Sequence, residues 1–246
     1  MKPIGILDSG LGGVSVVLAL KKAYPDLAMV YLADQIHAPY GNKSKQEICE
    51  IMESNIAWFQ HQGISEVLLA CNTASSNALE YLHEHFPMMK IEGIIDVTVN
   101  QIKDADCVGV LATTATIASH AYKTKIETRL NARVIEQAAP DLVALIEGLA
   151  DEKLLSVVLN DYCHSIKECD TVILGCTHYP LVKDLIAQKV SGEIVDSIEP
   201  IIQSFLNREY PKGDVVLYTT KDPQNLQQQI EIIFKEKVEV LKGVVK

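Results

Sequence analysis

Short β-branched apolar runs alternate along the chain with longer stretches of helical periodicity. The runs "IGILD" from Ile4, "MVYLA" from Met29, "VLLAC" from Val67, "VGVLA" from Val108, "VILGC" from Val172 and "VVLY" from Val215 read as strands buried on both faces. Strands of that kind, separated by helices, predict an α/β chain with mostly parallel sheet. The clearest helix begins at Ser44, where Ser44 and Glu47 have capping-box spacing. It continues through Ile48, Ile51, Met52, Ile56 and Phe59 and stops at Gly63.

The pattern also repeats. "IGILDSGLGG" at Ile4 and "VGVLATTATI" at Val108 lie 104 residues apart; "VLLACNTASS" at Val67 and "VILGCTHYPL" at Val172 lie 105 apart. Two motifs recurring in one order at nearly one offset predict two pseudo-symmetric α/β lobes with an active site in the cleft between them. Residues 1–95 and 201–246 are assigned to one lobe and 96–200 to the other. Ligands of open α/β sheets bind at the carboxyl ends of strands, so Cys71 and Cys176, which fall in register, are expected to reach one ligand from opposite sides.

The chain has 246 residues, 48 % hydrophobic and 22 % charged, enough for a sizeable core. Its 22 basic and 32 acidic residues give a net charge of −10, with no basic stripe, which argues against a nucleic-acid partner. The start "MKPIGILDSG" lacks the pattern of a secretory leader, and no apolar run is long enough to span a membrane, so the chain reads as soluble and cytoplasmic. Its six cysteines, at 49, 71, 107, 163, 169 and 176, are therefore read as thiols, not a disulfide framework. "CHSIKECD", with Cys163, His164, Cys169 and Asp170, lacks zinc-site spacing, and no metal is assigned. His61, His83, His85 and His120 read as surface residues.

Cys71 and Cys176 each close a strand and precede residues suited to opening a helix, where free N–H groups bias a thiol towards thiolate. Asp8 or His178 is placed to exchange a proton with such a thiol. "DSGLGG" is a glycine-rich turn after a strand, open to two readings: a binding turn, favoured by Asp8 and Ser9, or a turn needed only for close packing. "TTAT", Thr113 to Thr116, supplies hydroxyls at the strand end equivalent to Asp8. Taken alone, "HAPYG" is a structural turn and Glu147 an ordinary helix residue.

The ordered motifs "DSGLGG", "PYGNKS", "ACNTAS" and "GCTHYPL" resemble those of the glutamate racemases, in the cofactor-independent aspartate/glutamate racemase superfamily, over essentially the whole length. The resemblance implies racemisation of glutamate without a cofactor, supplying D-glutamate for peptidoglycan, in an enzyme that is commonly a homodimer. It implies that Cys71 takes the α-proton of D-glutamate and Cys176 that of L-glutamate, assisted by Asp8 and His178, with Glu147 as a further carboxylate near the second cysteine. Substrate contacts would come from Asp8, Ser9, Tyr40, Gly41, Asn72, Thr73, Thr113, Thr116, Thr177 and His178. Two departures stand out: His37 where many members carry arginine, and a stretch from Ala138 to Ala144 without the family's cysteine and second proline.

The three arginines, Arg129, Arg133 and Arg208, lie in none of these motifs. Helix N-termini and the hydroxyls of Ser9, Thr73, Thr113, Thr116 and Thr177 are therefore expected to hold the carboxylates. Two rival readings remain from the sequence: an aspartate or other amino-acid racemase of the superfamily, and a two-lobed amino-acid-binding protein without chemistry.

Overall fold

The computed structural model describes residues 2–206 and 208–245. From the amino end, strand β1 (Ile4–Asp8), helix α1 (Gly12–Ala23), β2 (Met29–Ala33), α2 (Lys45–His61), β3 (Glu66–Leu69), α3 (Asn72–His85), β4 (Lys90–Gly93) and α4 (Ile95–Val99) alternate. There follow β5 (Cys107–Ala112), α5 (Thr114–Ala118), α6 (Ala121–Arg129), β6 (Arg133–Ala138), α7 (Leu142–Glu147), α8 (Glu152–Cys163), β7 (Thr171–Gly175), α9 (Lys183–Ala187) and β8 (Glu193–Val195). The chain closes with α10 (Ile198–Ser204), β9 (Val215–Thr219), α11 (Pro223–Phe234) and β10 (Val240–Lys242).

Two sheets result, a six-stranded one ordered β10-β9-β2-β1-β3-β4 and a four-stranded one ordered β6-β5-β7-β8, with every pairing within them parallel. The order β2-β1-β3-β4 is reproduced by β6-β5-β7-β8, so the motif pairs spaced by 104 and 105 residues occupy equivalent strands, β1 with β5 and β3 with β7. Both sheets are covered on both faces. Ile4, Ile6, Met29, Tyr31 and Leu68 face one core, while Leu7, Leu32, Val67 and Leu69 face another. Alternate residues of β5 and β7 divide likewise between two further cores. Double coverage explains why these strands read as continuous apolar runs.

Helix α2 begins as its sequence predicts. Ser44 Oγ accepts from the Glu47 N–H, and Glu47 Oε2 accepts from the Ser44 N–H at 2.8 Å. Such a cap stabilises a helix by about 1 kcal/mol. Gly63 follows the helix at φ +72°, a left-handed conformation open to glycine at little cost.

One cysteine reading is corrected. Cys107 and Cys169 are joined as a disulfide, with Cα atoms 4.8 Å apart, whereas Cys49, Cys71, Cys163 and Cys176 are free. The pair is 62 residues apart in sequence, but β5 and β7 are neighbours in register from Val108 opposite Thr171, which brings the residues just before them together. Sequence spacing carries no trace of that register. Among the described residues, no helix is long and apolar enough to cross a membrane.

Candidate active site

The carboxyl ends of strands from both sheets converge on a cavity of about 480 Å³. The six-stranded sheet brings Ser9 after β1, Cys71, Asn72 and Thr73 after β3, and Tyr40 and Gly41 from a 3-10 turn at Tyr40–Asn42. From the four-stranded sheet come Thr113 after β5 and Cys176, Thr177 and His178 after β7, with Glu147 at the end of α7. Asp8 and Thr116 do not line the cavity. Each lies behind the wall and reaches it through a hydrogen bond, Asp8 to Thr177 and Thr116 to Thr113 and Thr73.

Asp8 is fully buried. It accepts from the Gly10 N–H at 2.9 Å and from Thr177 Oγ1 at 3.1 Å. Burial nevertheless raises its pKa, outweighing the opposing charge of His178 and these hydrogen bonds. The glycine-rich turn lets the groups meet: a Cβ on Gly13 would lie 2.4 Å from Asp8 Cβ, and one on Gly12 2.3 Å from Thr177 Oγ1. Both glycines are therefore required by close approach, while Gly10 also lines the cavity.

The two thiols have different surroundings. Cys71 occupies the N-cap position of α3, where the N–H groups of Ala74 and Thr73 favour its charged form, as expected at a helix start. Burial, followed by the Asp8 charge, overrides them and holds its pKa well above the usual thiol value. Burial thus works against the bias towards thiolate expected of this thiol. On the opposite side, Cys176 Sγ lies 3.8 Å from His178 Nδ1, and His178 Nε2 lies 2.8 Å from Glu147 Oε1. Burial alone would lower the His178 pKa, but its hydrogen bonds to Cys176 and Glu147, with their charges, raise it to about 10. Burial pushes Glu147 the other way, yet the His178 hydrogen bond and charge, the Leu11 N–H and the Lys221 charge hold it below the ordinary value.

Three hydroxyls join the lobes. Thr73 Oγ1 lies 2.9 Å from Thr113 Oγ1 and 3.2 Å from Thr116 Oγ1, and Thr113 lies 2.9 Å from Thr116. Beside them, Tyr40 is held by a buried carboxylate that the sequence motifs do not mark, Asp34. Asp34 accepts from the Tyr40 hydroxyl at 2.6 Å, Asn55 Nδ2 at 3.0 Å and Thr220 Oγ1 at 3.0 Å. The arrangement offers what proton transfer at an amino-acid α-carbon requires: two thiols, each with its own titratable neighbour, and a wall of hydroxyl and amide donors.

Comparison with known proteins agrees with this chemistry. The family described as Asp/Glu/Hydantoin racemase matches residues 16–204. A glutamate racemase of Aquifex aeolicus (strain VF5) is 37 % identical over 245 residues, covering 96 % of this chain and 95 % of its own. This chain belongs to the glutamate racemases, a branch of the Asp/Glu racemase family. It is accordingly an isomerase. Among solved structures, Francisella tularensis glutamate racemase in complex with D-glutamate has a TM-score of 0.90 at 27 % identity, covering 99 % of this chain and 97 % of its own. Escherichia coli glutamate racemase, with L-glutamate and the activator UDP-MurNAc-Ala, has a TM-score of 0.78 at 25 % identity, covering 98 % of both chains.

Of the two departures from the glutamate racemase pattern, one lies in the cavity wall and the other behind it. His37 Nδ1 lies 2.8 Å from Asp34 Oδ2, at the back of the Tyr40 turn. The stretch from Ala138 to Ala144 places Pro140, Val143 and Ala144 in the cavity wall. Among the described residues, no arginine lines the cavity. Arg129 donates to the Val99 and Ile102 carbonyls, Arg208 pairs with Glu66 and Glu92, and Arg133 lies 3.6 Å from Cys107 Sγ. Sequence motifs miss the outer rim, where Lys221, Asn225, Gln228, Gln229 and Ile232 come from the end of β9 and from α11. The signal for Lys221 is positional: it follows β9, a strand of the same parallel sheet as β3, and therefore lies at the same carboxyl end as Cys71.

Proposed function

We propose that this chain interconverts L- and D-glutamate with Cys71 and Cys176 as alternating base and acid. The observation that carries this reading is that the two thiols, delivered by equivalent strands of two sheets, line one cavity. Inversion at a carbon requires a proton to leave one face while another arrives at the opposite face. Two thiols on opposite sides can do this, and exchanging their roles runs the reverse reaction. The complexes of relatives with D-glutamate and with L-glutamate support the choice of substrate.

In this reading Cys71 deprotonates D-glutamate and Cys176 deprotonates L-glutamate. Asp8, with its raised pKa, relays the proton of Cys71 through the buried wall. His178 relays that of Cys176, and Glu147 stabilises the imidazolium that results. The charge that develops on the substrate is met by preorganised donors, the hydroxyls of Ser9, Thr73, Thr113 and Thr177, the Asn72 amide and the backbone N–H groups at the start of α3. Tyr40 and Gly41 close the cavity from the side, and Thr116 holds Thr113 and Thr73 in place.

The two lobes are taken as residues 1–95 with 201–246, and 96–200. The enzyme is read as a cytoplasmic homodimer supplying D-glutamate for peptidoglycan, which sedimentation and cell fractionation test. The reaction itself is tested in heavy water with L-glutamate, following α-deuteration by NMR and optical rotation by circular dichroism. Deuterium incorporation with decay of the optical signal is expected. A cavity that only binds glutamate would leave the α-hydrogen in place.

A further inference from the structure

The wall of the cavity contains a donor whose direction is set from the opposite lobe. Asn72, the first residue of α3, is 2 % exposed and lines the cavity. Tyr122, on α6 and 1 % exposed, donates its hydroxyl to Asn72 Oδ1 at 2.5 Å. With Oδ1 engaged, the buried Asn72 Nδ2 has no hydrogen-bond partner. Among the described residues it is the one such orphaned buried side-chain atom whose residue lines the cavity. A buried donor left unpaired is costly, and it persists where a ligand supplies the missing acceptor.

The Tyr122 hydroxyl is suited to fixing an amide. Burial raises its pKa, although hydrogen bonding to Ser197 and Thr98 opposes the rise, so it stays a neutral donor at working pH. Thr98 Oγ1 in turn donates to Ser197 Oγ at 2.9 Å, joining α4 to the residue that precedes α10. These segments carry the chain between the two sheets, so a buried polar chain runs from the crossovers to the cavity wall.

We propose that Tyr122 is a positioning residue: by occupying Asn72 Oδ1 it holds the amide with its Nδ2–H directed at a carboxylate of the substrate. An amide free to rotate presents its oxygen to that carboxylate for part of the time, and two acceptors facing each other repel. Tyr122 thereby couples substrate affinity to the contact between lobes. The inference rests on reading this cavity as the glutamate site.

Racemisation kinetics of Tyr122→Phe, which removes only the hydroxyl, test it in both directions of the reaction. KM for glutamate is expected to rise about tenfold with kcat within about twofold, the signature of lost uniform binding. The same change made on top of Asn72→Ala is expected to add less than about twofold, since its effect passes through that amide. An unchanged KM in Tyr122→Phe, or a full additional loss in the Asn72→Ala background, overturns the proposal. If Tyr122→Phe does not fold, Asn72→Asp takes its place, because it keeps an acceptor for Tyr122 but removes the donor to the substrate. Its KM is expected to rise at least tenfold, and a KM like that of the parent enzyme overturns the proposal. Absence of racemisation in the unmodified protein fails the glutamate reading itself, a result distinct from all of these.

Discussion

His178 bridges two acidic partners, with Nε2 2.8 Å from Glu147 Oε1 and Nδ1 3.8 Å from Cys176 Sγ. Among the described residues Cys71 has no such imidazole beside it, and the charge it feels most is that of Asp8. The lobes are alike in topology but differ in the titratable groups set beside their thiols. Replacing Glu147 with Gln removes the charge that helps hold His178 protonated. The alkaline limb of kcat/KM for L-glutamate, the direction in which Cys176 is the proposed base, is expected to move to lower pH. A pH profile identical to the parent's in that direction would show that Glu147 does not act through His178.

The same ion pair links pH to stability. The His178 pKa is raised from 6.5 to about 10 on folding. A raised histidine pKa stabilises the fold fully below the unfolded value, and the contribution is lost as pH rises through the folded value. Thermal stability is therefore expected to fall between about pH 6.5 and about 10, and the fall should be smaller in His178→Asn. Calorimetry across that range checks both slopes.

Gly13 is required by sterics. An added Cβ would lie 2.4 Å from Asp8 Cβ and 2.8 Å from the Tyr31 hydroxyl. Gly13→Ala is expected to destabilise the protein by about 1–3 kcal/mol, the range for overpacking a filled site. It should also depress kcat, because Asp8 must move. Denaturant unfolding together with kcat separates this from a neutral turn substitution, which would leave both unchanged.

At the cavity mouth, Lys221 is the one lysine or arginine among the described lining residues, in a protein of net charge −10. An anionic substrate approaching an acidic protein is helped by a cation at the entrance. Lys221→Gln is expected to lower kcat/KM about threefold at low ionic strength and less at high salt, where screening shortens the reach of the charge. Initial rates at two salt concentrations give the comparison.

The strands legible in the sequence were those covered on both faces. β1, β2, β3, β5, β7 and β9 are interior to their sheets and read as apolar runs, whereas the unread β4, β6, β8 and β10 are the four edge strands. "KIEG" and "RVIEQA" carry charges because an edge meets solvent and must discourage further pairing. The same contrast governs the site. Cys71, Cys176, Thr113 and Asp8 end interior strands and were legible through the repeat. Asp34 and Lys221 follow β2 and β9, strands to which no repeated motif drew notice. Glu147 reads as an ordinary helix residue because its partner, His178, lies 31 positions away. The Cys107 to Cys169 pairing was hidden for the same reason, since register between β5 and β7 is a property of the folded sheet.

The claim that two thiols act on opposite faces of one carbon is met most directly by replacing each in turn. In Cys71→Ala and Cys176→Ala, circular dichroism of L- and D-glutamate in solution should show racemisation reduced on the order of a thousandfold or more in both directions, since each half of the reaction needs both groups. Thermal unfolding of both variants should stay close to that of the parent, because neither sulfur closes a disulfide. Parental racemisation rates in either folded variant would contradict the account.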